Sequence, residues 1–182
     1  MYKLTEDILD VARIESNSLK LYKEKVELNE LLNETIKEFF SKRTNIKKDV
    51  KINFIPNYQP NNKIFAFADK NRIQQVIFNL LDNATKFTDK GDICISIEKD
   101  NDKNDAKIRI QDTGQGIDSE LLPRLFEKFA TKSERGTGLG LYISKNIVEA
   151  HGGKIWTEIN SNSDVKGATL LFTLPLSNYY ET

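Results

Sequence analysis

The stretch DKNRIQQVIFNLLDNATKFT, residues 69 to 88, constrains this chain more than any other. Ile73, Val76, Ile77, Leu80, Leu81 and Ala84 recur at three- and four-residue spacing, which predicts a helix from about Asp69 to Phe87 with one apolar face. Asp69 stands just before the periodic residues and is the expected N-cap. A helix this long cannot leave such a face in water, so it needs an apolar layer to cover it. The sequence supplies one directly afterwards. Asp92 to Glu98 and Ala106 to Gln111 alternate with period two and are joined by the polar link KDNDKND, which predicts a β-hairpin. A further helix, Leu139 to Ala150, stops at Gly152-Gly153, where a left-handed cap is expected, and Lys154 to Asn160 and Ala168 to Leu174 form a second antiparallel pair. The expected class is α/β: a two-layer sandwich of a mixed, mostly antiparallel sheet with helices on one face.

The amino-terminal part is less regular. Leu4, Ile8, Val11 and Ile14 draw a narrow apolar seam that calls for a partner helix. In a second amphipathic segment Leu28, Leu31, Leu32, Ile36, Phe39 and Phe40 share a face, expected to pack on a sheet. Val50 to Ile55 and Ile64 to Ala68 flank the turn-rich PNYQPNN and are read as a hairpin. Residues 1 to 22 are therefore expected to be a helical stub with its linker, and residues 23 to 182 the domain proper.

Charge and cysteine content narrow the classes of function. Lys and Arg number 27, as do Asp and Glu, so no net field favours nucleic acid or an anionic membrane. The Lys-rich run from Lys42 to Lys51 has no interleaved aromatic residues and reads as a solvated helix end and loop. Cys94 is the single cysteine, which suits a reducing, cytoplasmic-side compartment and gives no zinc spacing. No apolar run reaches the roughly 20 residues needed to cross a bilayer. A parent protein, membrane-anchored or soluble, is compatible with this.

Three segments carry chemistry. On the central helix Asn79, Asn83 and Lys86 lie four and three residues apart, a stripe beside the apolar face. An amide oxygen is a neutral hard ligand for Mg²⁺, and a lysine neutralises phosphate charge. Taken alone, a solvated helix face is the more economical reading of that stripe. Asp112-Thr113-Gly114-Gln115-Gly116-Ile117 sets an acid at the end of a strand, followed by glycines that let the backbone approach a flat ligand. An ordinary Asp-Thr-Gly turn has about equal weight. Gly136-Thr137-Gly138-Leu139-Gly140 leads into a helix whose first N–H groups can cradle phosphate, but its GxGxG spacing is neither a dinucleotide fingerprint nor a P-loop.

In this order the segments resemble the GHKL superfamily and, in detail, the catalytic domain of sensor histidine kinases. Residues 69 to 88 resemble its N box, DTGQGI at 112 to 117 its G1 box, Leu125-Phe126-Glu127-Lys128-Phe129 its F box and GTGLGL from Gly136 its G2 box. The tail, EAHGGKIW and then GATLLFTLPL, is similar as well, so the likeness runs from about residue 28 to 176. It implies a Bergerat fold that binds ATP and Mg²⁺. Asn83 would then ligate the metal with Asn79 supporting it, Lys86 would contact phosphate, and Asp112 would accept from the adenine amine. Gly114 and Gly116 would shape the adenine pocket, while Gly136, Gly138 and Gly140 would let a lid close over the phosphates, with Phe126 and Phe129 as anchors. Phe87, Ile117, Thr137, Leu139 and Thr169 complete the nucleotide-binding set, and Lys132 or Arg135 is the lid cation.

The resemblance also bears on the reaction. ATP-hydrolysing relatives such as gyrase, MutL and Hsp90, and the anti-sigma serine kinases, resemble one another in carrying a glutamate where Asn79 stands. An amide cannot serve as a general base, whereas an imidazole acceptor needs none. Phosphoryl transfer to histidine is the expected activity; a non-catalytic nucleotide sensor is the alternative. No acceptor-histidine motif occurs, and the only histidine, His151, ends a helix and reads as a packing residue. The start of the chain resembles the end of a second dimerisation helix. Implied partners are the histidine-bearing dimerisation domain and a response regulator, in a parent that is a homodimer, with this chain on its own monomeric; no nucleic acid is expected.

Overall fold

The computed structural model describes residues 2–42, 50–55, 63–100, 102–132, 136–158 and 167–177. In chain order its elements are α1 (Tyr2–Glu15), β1 (Glu24–Glu27), α2 (Leu28–Lys42), β2 (Val50–Ile55), β3 (Phe65–Ala68), α3 (Lys70–Phe87), β4 (Gly91–Asp100), β5 (Asp105–Asp112), α4 (Gly140–Ala150), β6 (Ile155–Glu158) and β7 (Thr169–Pro175). Five strands form one sheet in the order β2-β4-β5-β7-β6, and β1 and β3 form a separate pair.

Alternation along the strands builds the core. Ile93, Ile95 and Ile97 of β4, Ala106, Ile108 and Ile110 of β5, and Leu170, Phe172 and Leu174 of β7 point to one face of the sheet. The apolar faces of α3 and α4 cover them, with Val76, Leu80, Leu81, Ile143 and Ile147 in the same buried cluster. The expected sandwich is thus the architecture observed. Asp69 caps α3, its side chain accepting from the Arg72 N–H at 3.1 Å. Gly152, at φ 83°, follows the end of α4 as the sequence requires.

The pairing of the two amino-terminal strands differs from expectation. β2 lies parallel to β4, Val50 opposite Gly91, whereas β3 pairs antiparallel with β1, Ala66 opposite Val26. The expected hairpin does not form. A parallel neighbour requires a crossover, and the chain between β2 and β4 supplies one in α3. The intervening turn, 56–62, lies outside the described residues. α2 packs against α3, with the Phe39 and Phe78 rings 5.6 Å apart, and against β1. Phe40 faces solvent, leaving Leu28, Leu31, Leu32, Ile36 and Phe39 inward.

α1 docks through only the later half of its apolar seam, together with buried carboxylates. Its inward positions include Asp7 and Asp10, both buried, while Leu4 and Ile8 are exposed and only Val11 and Ile14 reach the core. Polar partners on α3 dictate this orientation. Arg72 Nη1 holds both Asp10 oxygens at 2.9 Å, Gln75 donates to Asp10 at 2.7 Å, and Lys3 pairs with Asp82 at 2.5 Å. No helix among the described residues is long and apolar enough to cross a membrane.

Candidate functional site

α3 carries the first part of the site, and its stripe is not uniformly outward. Asn79 is 5% exposed and turned toward α4, where its Nδ2 donates to the Gly140 carbonyl at 3.2 Å and reaches Ser144 Oγ at 3.4 Å. The expectation that both amides look out together therefore fails for Asn79, because α4 closes over that turn of α3. Asn83 and Lys86 remain half-buried at the edge. Burial pushes the Lys86 ammonium below the usual lysine range, and its Nζ sits 5.2 Å from the Phe87 ring centroid. One residue further on, the Thr88 hydroxyl is buried with no hydrogen-bond partner. A buried orphan of this kind calls for a ligand or a water.

Asp112 ends β5 within reach of three elements. Its Oδ1 accepts from the Gly114 N–H at 2.9 Å and the Ala168 N–H at 3.2 Å, so Oδ2 is the oxygen left for an outside donor. Burial pushes this carboxyl above the usual aspartate range, and the two N–H groups oppose the shift. Gly114 has no room for a side chain, since a Cβ would stand 2.3 Å from the Phe87 carbonyl oxygen. The turn that follows is stitched to the end of α3 by Gln115 N–H to Phe87 O at 3.2 Å, and to β4 by Thr113 N–H to Asp92 O at 3.0 Å. Gly116 lies against Gly167, and Ile117 packs on the core. Thr169 is the exception. It pairs with Gln111 and Glu158, so alternation directs its side chain to the sheet face opposite Asp112, and Ala168 is the actual neighbour of the carboxylate.

The segment after β5 supplies the third part. Leu125 is buried and Phe126 packs on the core, but Phe129 is 70% exposed with φ at 62°. Phe126 is placed to anchor this segment; Phe129 is not, because its side chain leaves the fold. Gly138 closes back onto the Phe129 backbone, where a Cβ would come within 2.5 Å of the Phe129 carbonyl carbon. The two ends of the candidate lid thus meet. Lys132 pairs with Asp118 and Glu120 at 2.7 Å each, and Arg135 lies outside the described residues. Beyond Gly136, the Thr137 hydroxyl accepts from the Leu139 N–H at 3.3 Å, Leu139 is buried, and Gly140 opens α4.

Asp112, Gly114, Phe87 and Lys86 are therefore brought together around the end of α3, with Asn79 joined to the first turn of α4. Thr88, Ser144, Gly167 and Ala168 belong to the same neighbourhood and were not singled out in the sequence. What brings them here is contact between segments far apart in the chain, for which a single sequence carries no spacing signal. Among the described residues no group of three His, Cys, Asp or Glu side chains is placed to hold a metal. A site for Mg²⁺ would have to combine amide oxygen with phosphate and water oxygens, the set this ion favours. His151 is buried and committed to packing: Nε2 accepts from the Asp69 N–H at 3.0 Å and Nδ1 donates to the Ile147 carbonyl at 2.7 Å.

Comparisons with known proteins agree with this geometry. The family model described as histidine kinase-, DNA gyrase B-, and HSP90-like ATPase matches residues 68–178. The chain belongs to this family, and within it to the catalytic ATP-binding domains of two-component sensor histidine kinases. It is 38% identical to the sensor protein KdpD of Clostridium acetobutylicum over 96% of the chain and 19% of that protein. It is 29% identical to the sensor histidine kinase WalK of Bacillus subtilis over 100% of the chain and 29% of that protein. The catalytic domain of histidine kinase ThkA superposes with a TM-score of 0.70 at 33% identity, covering 86% of this chain and 96% of that one. Full-length ShkA in complex with AMPPNP superposes with a TM-score of 0.80 at 28% identity, covering 97% and 36%. The chain thus spans under a third of the length of KdpD and of WalK.

Proposed function

We propose that the chain binds ATP together with Mg²⁺ and passes the γ-phosphate to a histidine on a dimerisation domain of its parent protein. The observation that carries this reading is Asp112, whose Oδ1 is clamped by two backbone N–H groups while Oδ2 is left to accept from the adenine amine. The orphaned Thr88 hydroxyl and the side-chain-free wall at Gly114 suit a flat base entering beside that carboxylate. Phe87, Gly116 and Ile117 line the same end.

Asn83 is the residue that would hold the metal, and Lys86 would stabilise phosphate; a lysine whose charge is made costlier by burial gains most from an anionic partner. Bound with the nucleotide, Mg²⁺ would neutralise phosphate charge and orient the terminal phosphoryl group. The N–H groups at the start of α4, reached through Gly136, Thr137, Gly138 and Leu139, are free of helical partners and suit phosphate oxygens. Asn79 offers no carboxylate to activate water, which favours an imidazole acceptor over hydrolysis. His151, buried and twice hydrogen-bonded, is not that acceptor. The acceptor belongs to another segment, and residues 1–22 are the proposed end of its hairpin. A response regulator and a homodimeric parent follow from the same assignment.

Titration calorimetry with AMPPNP, with and without Mg²⁺, tests the reading. Binding by the unmodified chain and its loss in Asp112→Ala are expected; absence of binding by the unmodified chain overturns it. A second reading, nucleotide sensing without transfer, draws on Lys132, the candidate lid cation, which is already paired with two carboxylates. Adding the histidine-bearing hairpin and following labelled phosphate separates the two.

A further inference from the structure

Ser144 belongs to none of the recognised boxes, yet it is 0% exposed and stands where α3 meets α4. Its hydroxyl donates to the Gly140 carbonyl at 2.7 Å, one helical turn back. The same carbonyl accepts from Asn79 Nδ2 at 3.2 Å, and that nitrogen also reaches Ser144 Oγ at 3.4 Å. A carbonyl oxygen can only accept, so the amide must present its nitrogen here and carry Oδ1 on its other side. Oδ1 has no donor among the described residues and is not sealed from solvent.

Gly140 completes the arrangement. A Cβ there would rest 3.4 Å from Asn79 Cγ and 3.6 Å from Oδ1, an ordinary contact with no clash. The glycine is thus not demanded by sterics; what its hydrogen leaves is open space beside the amide oxygen.

We propose that Ser144 is a positioning residue: with the Gly140 carbonyl it fixes the Asn79 amide so that Oδ1 faces the metal-phosphate end of the nucleotide site. The proposal rests on the Mg-ATP reading above. The Gly140 carbonyl by itself keeps the nitrogen on this side, and Ser144 Oγ is the second acceptor that steadies the amide plane; without it the amide can rotate about one hydrogen bond and carry Oδ1 off line. The 3.4 Å contact is long for a hydrogen bond, so the change lies toward the lower end of what one bond contributes.

The test is AMPPNP affinity with and without Mg²⁺ for the whole chain and for Ser144→Ala, which removes one oxygen and retains the helix. The ratio of the two dissociation constants is expected to shrink about threefold to tenfold, the scale of a single hydrogen bond. The metal-free constant is expected to stay unchanged. An unchanged ratio, or a loss shared equally by both constants, overturns the role of Ser144 while leaving nucleotide binding intact. Ser144→Thr keeps a hydroxyl able to bond the carbonyl four residues back and must restore the ratio; its failure to do so also overturns the proposal. If the unmodified chain binds AMPPNP with no dependence on Mg²⁺, the metal reading falls and this one with it; no binding at all overturns the nucleotide reading itself.

Discussion

Asp112 and Asn79 are both buried polar residues, and each is fixed by what the opposite atoms can offer. In Asp112→Asn the amide oxygen must take the Oδ1 place, because Gly114 and Ala168 present only N–H groups. Nδ2 then meets the adenine amine, donor against donor. Affinity for AMPPNP is expected to drop about tenfold to a hundredfold, the loss of one hydrogen bond to a charged group. Stability moves the other way. Because burial raises the folded-state pKa of Asp112, its ionised form is penalised on folding at neutral pH, and that penalty disappears as pH falls through the raised value. Urea unfolding at pH 7 should find the asparagine variant at least as stable as the unmodified chain, with its advantage shrinking toward pH 4. Asn79→Asp is the contrary case. It sets a carboxylate against the Gly140 carbonyl, and about 3 kcal/mol of stability should be lost, in the range for an uncompensated buried charge. The residue types at 79, 83, 86 and 112 were legible in the sequence because two of the three motifs place them at fixed spacing. Thr88, Ser144 and Ala168 were not: what marks Ser144 and Ala168 is a side-chain atom 65 and 56 residues away, Asn79 Nδ2 and Asp112 Oδ1, and what marks Thr88 is a buried hydroxyl without a partner.

At the level of elements, the start of α3 and the end of α4 share one buried joint. His151 bridges the Asp69 N–H and the Ile147 carbonyl, and Asp69 Oδ2 accepts from the Tyr22 N–H at 2.9 Å, so the linker after α1 enters the same joint. Burial lowers the folded-state pKa of His151, helped by Lys23, while the hydrogen bond to Ile147 and the Asp69 charge act against it. A depressed histidine contributes stability that is present above the unfolded pKa of about 6.5 and lost as pH falls from there through the folded value. Protonation would point a second N–H at the one Asp69 already presents. Thermal unfolding between pH 7.5 and 5 should therefore show a decline that is flattened in His151→Gln. His151→Ala is expected to cost about 3 kcal/mol, from an unpaired buried N–H together with the space left. The helices and hairpins of this region were legible because period and punctuation specify them locally. β1 and the pairing of β2 were not: alternation marks a strand but does not name its neighbour, and the parallel partner of β2 lies beyond an entire helix.

Across the whole molecule, α1 is attached by charge together with the Val11 and Ile14 end of its apolar seam. The inward turn of α1 follows its carboxylates: Asp10 is gripped by Arg72 and Gln75, and Lys3 reaches Asp82. At its far end Glu15 pairs with Lys128, so α1 also touches the segment that leads into the candidate lid. Leu4, Ile8 and Leu9 are left exposed, a face that suits the first helix of the proposed hairpin. A helix of 14 residues is marginal by itself in water, so α1 persists only while these ties hold. Breaking a buried pair by removing one partner costs about 3–5 kcal/mol, because the other charge is left desolvated. Asp10→Ala is thus expected to release α1 without unfolding the sheet. Hydrogen exchange should speed up throughout residues 2 to 15 while the amides of Ile93, Ile95 and Ile108 keep their protection. If α1 stays as protected as before, the ties to Asp82 and Lys128 suffice and Asp10 is not what holds it. If the sheet amides exchange faster as well, α1 is an integral part of the core, and the proposed boundary near residue 22 does not separate two units.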